Sequence, residues 1–171
     1  MLSFKNVRLN VDNFYNYLKT NLKEIESIAV SKESNRIKSI TGLHKIANRV
    51  VITAEKAEKH GNSLREIEIL SINCDSVDLY SQMFSNDSIF LGRYLCVKVQ
   101  DLLDSEVFDT DNLVYSVSGD VSTQSWSAEF VLFGVFKDFD KACKAAKGNL
   151  YSINAFYLDK ETSVYIGGYM E

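Results

Sequence analysis

The residues able to act as nucleophiles, bases or transition-metal ligands are few and widely spaced: His44, His60, Cys74, Cys96 and Cys143. Cys74 and Asp75, together with His60, could supply the thiol, carboxylate and imidazole of a nucleophilic site. Nothing in the spacing brings these three residues together, and a buried cysteine is the more common state. No pair of these residues has the spacing of a zinc site. We therefore expect no catalytic residue and no metal, and we expect Cys143 to pack in the core.

The glycine motifs that bind phosphate or present a nucleophile are absent, so no cofactor is predicted. A cluster of carboxylates lies in the acidic segment 104–112: Asp104, Glu106, Asp109 and Asp111. The spacing approaches that of a calcium loop, but the glycine and the closing glutamate of an EF-hand are missing. The segment is interpreted as an acidic loop, either a site for a basic protein surface or a solubilising surface.

Charge is distributed unevenly along the chain. Residues 30–65 contain eight Lys/Arg and three Asp/Glu, whereas residues 66–130 contain two Lys/Arg and twelve Asp/Glu. The basic segment could bind phosphates of a nucleic acid, or it could be a solvated hairpin surface paired with the acidic middle of the chain. The candidate basic-face residues are Lys32, Arg36, Lys38, Lys45, Arg49, Lys56, Lys59 and Arg65.

The clearest elements lie in the C-terminal third. Residues 130–136 (FVLFGVF) form an unbroken apolar run, which predicts a strand buried on both faces. Asp138 is a suitable N-cap for a helix over 138–147, whose apolar stripe includes Cys143. A strand over 150–158, a polar turn and a returning strand over 164–169 follow, which completes a β-α-β-β unit.

The rest of the chain gives a mixed pattern. A first helix is predicted from Asp12 to Glu26, and a second begins at Asp75 or Ser76 and includes Val77 and Tyr80. The stretch 89–103 is left open between helix and strand, because its length favours a helix and its Cys and Val content favours a strand. Strands are predicted at 27–30, 36–43, 50–55, 64–72 and 113–121.

These elements predict a single α+β domain over residues 1–171, with a mixed, mostly antiparallel sheet and three or four helices. The N-terminus has no signal-peptide core, no apolar run is long enough for a membrane span, and the three cysteines suit a reducing compartment. We expect a cytoplasmic protein that does not bind membranes. The absence of proline suggests a microbial or viral source.

Three functions are compatible with this pattern. The first is a small non-enzymatic interaction protein that inhibits or adapts another protein. The second is nucleic-acid binding through the basic segment 32–65, and the third is a small enzyme of unrecognised type. Half of the twenty aromatic residues lie at or after Trp126. We expect them to pack in the core, although an exposed aromatic patch would suit a protein partner.

Overall fold

A computed structural model describes residues 2–32, 36–58, 63–80, 94–123, 129–148 and 150–160. The chain has the α+β fold that the sequence predicted, and its strands form a five-stranded mixed sheet and a separate three-stranded antiparallel sheet. The elements are β1 (Leu2–Val7), α1 (Val11–Thr20), α2 (Leu22–Lys32), β2 (Ile37–Ile46), β3 (Arg49–Ala57), β4 (Leu64–Asn73), β5 (Val77–Tyr80), α3 (Val99–Asp104), β6 (Leu113–Asp120), β7 (Phe130–Phe136), α4 (Phe139–Ala145) and β8 (Tyr151–Tyr157).

The five-stranded sheet has the order β5-β1-β8-β6-β7. β1 runs parallel to β8, and every other neighbouring pair is antiparallel. β8 lies between β1 and β6, so both of its edges are occupied, while β7 lies at the edge of the sheet. The predicted returning strand 164–169 lies outside the described residues.

The three-stranded sheet β2-β3-β4 contains the predicted hairpin, with β3 and β4 paired from Arg49 and Asn73 to Ala57 and Leu64. Helices α1 and α2 pack against β2. Buried side chains of both sheets belong to one apolar core, which includes Phe4 of β1 and Ile52 of β3.

The first predicted helix differs from the structure at both ends. Its N-cap is Asn10, whose side chain accepts from the Asn13 N–H at 3.0 Å, and not Asp12. After a break at Asn21 the helical chain continues as α2 to Lys32, so the predicted strand at 27–30 is wrong. Ile25 and Ala29, four residues apart, are fully buried, and they continue the apolar stripe of a helix through this stretch.

The helix predicted from Asp75 or Ser76 is also wrong over its described part. Residues 77–80 form β5, which pairs antiparallel with β1. Val77 and Leu79 are buried in alternation with the exposed Asp78, the period of a strand. In the stretch that the sequence left open, residues 94–97 and α3 are helical. Among the described residues, no helix combines the length and the hydropathy needed to cross a bilayer.

Most of the prediction for the C-terminal strand and helix is confirmed. Asp138 caps α4 by accepting from the Lys141 N–H at 2.9 Å, and the helix ends at Ala145. Ala142 is buried under the sheet, but Cys143 is exposed, so its predicted place in the core is wrong. Because α4 has only two turns, it buries only a narrow stripe of side chains against the sheet. β7 is a strand as predicted, but it is not buried on both faces.

Candidate protein-docking surface

Apolar side chains remain accessible along β7. Five of its seven residues are large apolar side chains with more than a third of their surface exposed: Phe130 (41%), Val131 (37%), Leu132 (62%), Phe133 (41%) and Val135 (52%). Central strands of this composition are covered on both sides by other elements. In β7 the same composition lies at a sheet edge, where one long side of the strand faces no other strand among the described residues.

The pairing with β6 shows that both faces of β7 are exposed. Tyr115, Val117 and Gly119 of β6 define the helix face of the sheet, since the Tyr115 ring lies 5.2 Å from Phe139 of α4. Val131 pairs with Gly119 and therefore lies on this helix face.

The second face of the sheet carries Ser116 and Ser118 of β6. Val135 and Leu132 pair with these two serines and are exposed there. A bulge between the two pairs adds Phe133 to β7, so the alternation of faces changes at the middle of the strand.

Phe133 forms an aromatic platform with Tyr151 of β8. The two ring centroids are 4.9 Å apart at 39°, and Gly119 of the intervening strand lies beneath them. A Cβ atom at Gly119 would lie 3.0 Å from Cδ1 of Tyr151 and 3.1 Å from Cε2 of Phe133. Glycine at this position therefore lets the rings meet over the sheet. Leu150 (68% exposed) and Val121 (38%) extend the apolar surface at this end.

The start of β7 is held in place by the end of β6. The Asp120 carboxylate accepts from the backbone N–H groups of Ser122 at 2.9 Å and Glu129 at 3.1 Å, and these bonds lower its pKa. The Val121 N–H donates to the Glu129 carbonyl at 2.8 Å. These bonds position the chain on both sides of residues 124–128, so β7 presents its edge from a fixed support.

The acidic loop forms a second surface. Three of its predicted residues, Glu106, Asp109 and Asp111, line a cavity of about 410 Å³ with Arg8 and Asp75. Asp109 forms an ion pair with Arg8 at 2.9 Å, which offsets part of the negative charge.

Asp104 does not line that cavity. It ends α3 and accepts from Gln100 Nε2 at 3.1 Å. In the part of the chain that the structure describes, no three or more His, Cys, Asp or Glu side chains are positioned to hold a metal ion together.

The candidate basic residues are divided between the two ends of the three-stranded sheet. Lys56 pairs in register with Arg65 at one end, close to Arg36 and Lys38. At the other end, Lys45 contacts Asp12 of α1, and Arg49 lies 4.0 Å from Glu68. The side chain of Lys32 and residue Lys59 lie outside the described part of the chain.

Acidic residues lie among these cations. Glu55 and Glu66 occupy directly opposite positions on β3 and β4. Charges of both signs therefore share this sheet, and its binding role remains a prediction.

The candidate nucleophile does not have the properties of a reactive thiol. Burial raises the pKa of Cys74 to about 11, with a smaller contribution from the adjacent Asp75 carboxylate. Burial alone raises the pKa of Cys96 to about 11. Both thiols are therefore protonated at neutral pH. His44 is exposed on β2, with Nε2 3.4 Å from the Thr53 hydroxyl, and His60 lies outside the described residues.

A polar network that sequence reasoning missed joins α2 to the helical stretch before α3. The Tyr94 hydroxyl donates to Glu24 Oε2 at 2.9 Å, and Lys98 Nζ lies 3.5 Å from Glu24 Oε1 and 3.7 Å from Asp101 Oδ2. Burial, and then the bond to Glu24, raise the pKa of Tyr94 above its ordinary value. A tyrosine held in its neutral form does not serve as a base at neutral pH, so the network is interpreted as a structural link.

Comparisons with protein family models, with curated proteins and with solved structures find no match to this chain. The functional argument therefore rests on the residues themselves. Sequence reasoning found β7 and missed its exposure, because an apolar run has the same composition at the centre and at the edge of a sheet.

Proposed function

We propose that this protein is a small non-enzymatic interaction protein that binds another polypeptide along the edge of β7. The observation that carries the proposal is the exposure of apolar side chains on both faces of this edge strand. An added strand would satisfy the outward N–H and C=O groups of β7 and would cover side chains on both faces at once.

The other sheet edges support β7 as the docking strand. Of the four edge strands of the two described sheets, β7 alone contains no charged residue. Charged side chains on an edge strand hinder pairing with other chains. They occur on β2 (Lys38, Lys45), on β4 (Arg65, Glu66, Glu68) and on β5 (Asp78).

The size of the apolar surface supports the proposal. Complete burial of one Val, Leu or Phe side chain contributes about 1.5–3 kcal/mol. The five exposed residues of β7 are already partly covered, so each would contribute a fraction of that value. Their sum is of the order needed to offset the cost of association. Exposed apolar residues elsewhere, such as Ile46, Leu64 and Val97, lie singly on separate elements, which is ordinary for a protein surface.

The described residues give weaker support to catalysis and to nucleic-acid binding. The thiols of Cys74 and Cys96 are buried and protonated, which does not favour nucleophilic catalysis. Nucleic-acid binding through the basic segment remains the second candidate. A reducing cytoplasm stays a prediction of the sequence, and the three free cysteines are compatible with it.

The test is a retention experiment with lysate of the native host and three tagged proteins: wild type, Val135→Lys and Val97→Lys. Both variants place a lysine at an exposed valine, and Val97, 80% exposed, is far from β7 in the chain. We expect wild type and Val97→Lys to retain a host protein, and this retention should persist after nuclease treatment. The Val135→Lys variant should lose at least about nine-tenths of it, because a lysine on an edge strand opposes strand addition.

Equal retention by all three proteins would contradict the β7 surface. Retention of nucleic acid alone, lost with nuclease or with high salt, would instead favour the basic segment. Urea unfolding of each variant is the control for folding.

A further inference from the structure

We infer that the segment that docks along β7 runs antiparallel to it and has a defined order of residues: an acidic residue at its start, an apolar interior, and a basic residue at its end. This inference rests on the proposed function, because it gives the chemistry of the partner of the same surface. Three features of β7 support it: the charges that flank the strand, the direction of its pairing, and the length that its bulge leaves.

Opposite charges flank the apolar residues of β7. Glu129 precedes the strand and Lys137 follows it, and both are exposed. Neither side chain forms an ion pair with another described residue. The Asp120 carboxylate adds negative charge beside Glu129, since it accepts from the Glu129 N–H. Asp138 and Asp140, which follow Lys137, lie at the N-terminus of α4, where the helix itself stabilises negative charge. A docked segment therefore meets a negative end and a positive end of one strand.

The direction of pairing decides which end of the partner meets each charge. β7 is antiparallel to β6, its neighbour among the described strands, and antiparallel pairing is slightly the more stable arrangement per residue. A partner that adds in this direction begins beside Lys137 and ends beside Glu129. Opposite charges on neighbouring strands stabilise a sheet, and like charges destabilise it. The partner should therefore begin with Asp or Glu and end with Lys or Arg.

The bulge in β7 sets the distance between these two partner residues. Glu129 and Lys137 are eight positions apart, but the register with β6 shifts by one residue at Phe133. The strand therefore has the length of seven steps of a regular strand. An odd number of steps places the partner's acidic and basic residues on opposite faces. Glu129 and Lys137 also differ in this way, since alternation puts Glu129 on the helix face with Val131 and Lys137 on the second face with Val135.

Between its two charged residues the partner should be apolar on both faces. Leu132 and Val135 are exposed on the second face of the sheet, and Val131 is exposed on the helix face. Side chains on either face of an added strand therefore contact apolar neighbours. A charged side chain at an interior position would lose hydrating water without gaining a partner of opposite charge.

The experiment is fluorescence anisotropy of two labelled, end-capped peptides with the purified full chain. The first peptide is Asp-Val-Ile-Thr-Val-Ile-Thr-Lys, and the second exchanges the terminal Asp and Lys. Wild type should bind the first peptide with a Kd at least roughly tenfold lower, because the second peptide opposes like charges at both ends of β7. The double variant Glu129→Lys, Lys137→Glu should instead prefer the second peptide by a similar factor.

Val135→Lys should bind neither peptide, whereas the matched control Val97→Lys should bind both as wild type does. Urea unfolding shows whether each variant is folded. The inference is overturned if wild type binds neither peptide, binds both equally or prefers the second, or if the double variant keeps the wild-type preference. If it is overturned but Val135→Lys still loses the retained host protein, the proposed function stands and only this partner chemistry is rejected. If that retention is also unchanged in Val135→Lys, both are rejected.

Discussion

Single polar residues determine how distant segments of this chain meet, and Tyr157 is the clearest example. Its buried hydroxyl lies 3.1 Å from the Arg8 carbonyl and 2.5 Å from the Asp109 carbonyl, and it accepts from the Arg8 N–H at 3.2 Å. The guanidinium of Arg8 lies 5.3 Å from the centre of the same ring. One hydroxyl therefore joins β8, the end of β1 and the acidic loop.

Replacing Tyr157 with Phe should lower the free energy of unfolding by about 1 kcal/mol, because half-buried backbone groups lose a hydrogen-bond partner. Urea unfolding measures this change. Tyr15→Phe is the matched control, since the Tyr15 hydroxyl makes no hydrogen bond to another described residue. The control should change stability by less than about 0.5 kcal/mol. Equal effects of the two substitutions would show that the hydroxyl of Tyr157 does not join these segments.

At the scale of elements, a local hydrogen bond and a contact with a distant residue together determine where α1 begins. Asn10 lies just before α1, with its side chain on the Asn13 N–H and its own N–H donating to the Val107 carbonyl at 2.7 Å. Asp12, which the sequence suggested as the cap, lies within the helix and contacts Lys45. The position of the cap therefore depends on contacts with residues distant in the chain.

Asn10→Ala should cost about 1 kcal/mol of stability, as expected when an N-cap side chain is removed. Asp12→Ala removes an exposed ion pair and should cost less, about 0.5 kcal/mol. The midpoints of urea unfolding of the two variants measure these two losses of stability. A larger loss for Asp12→Ala than for Asn10→Ala would contradict the assignment of the cap.

Sequence patterns predicted those elements whose determinants are local. The hairpin of β3 and β4 follows from alternation, and α4 follows from its cap and its apolar spacing. β1 was not predicted, because its partners are residues such as Tyr80 and Asn154, far along the chain. For the same reason the composition of β7 gave its type, while its place at the edge depends on the strand order of the whole sheet.

At the scale of the whole molecule, the two sheets share one core, and within the described ranges β7 forms an exposed apolar edge. The Leu9 N–H donates to the Cys74 carbonyl, and the Cys74 N–H donates to the Asn48 carbonyl, each at 2.8 Å, which joins the two sheets where β4 ends. At the opposite side of the molecule's larger sheet, β7 has the composition of a central strand in an edge position. A strand added by a bound partner would convert it into a central strand and remove this mismatch.

Hydrogen exchange of residues 129–137, measured on the free protein and on its complex with a retained host protein, tests the docking surface most directly. Amides of β7 that point away from β6 should exchange quickly in the free protein and at least about tenfold more slowly in the complex, because strand pairing protects them. The peptide 64–73 of β4, an edge strand of the other sheet, should exchange equally in both samples. Unchanged exchange in β7, or protection confined to another segment, would contradict the docking of a strand along β7.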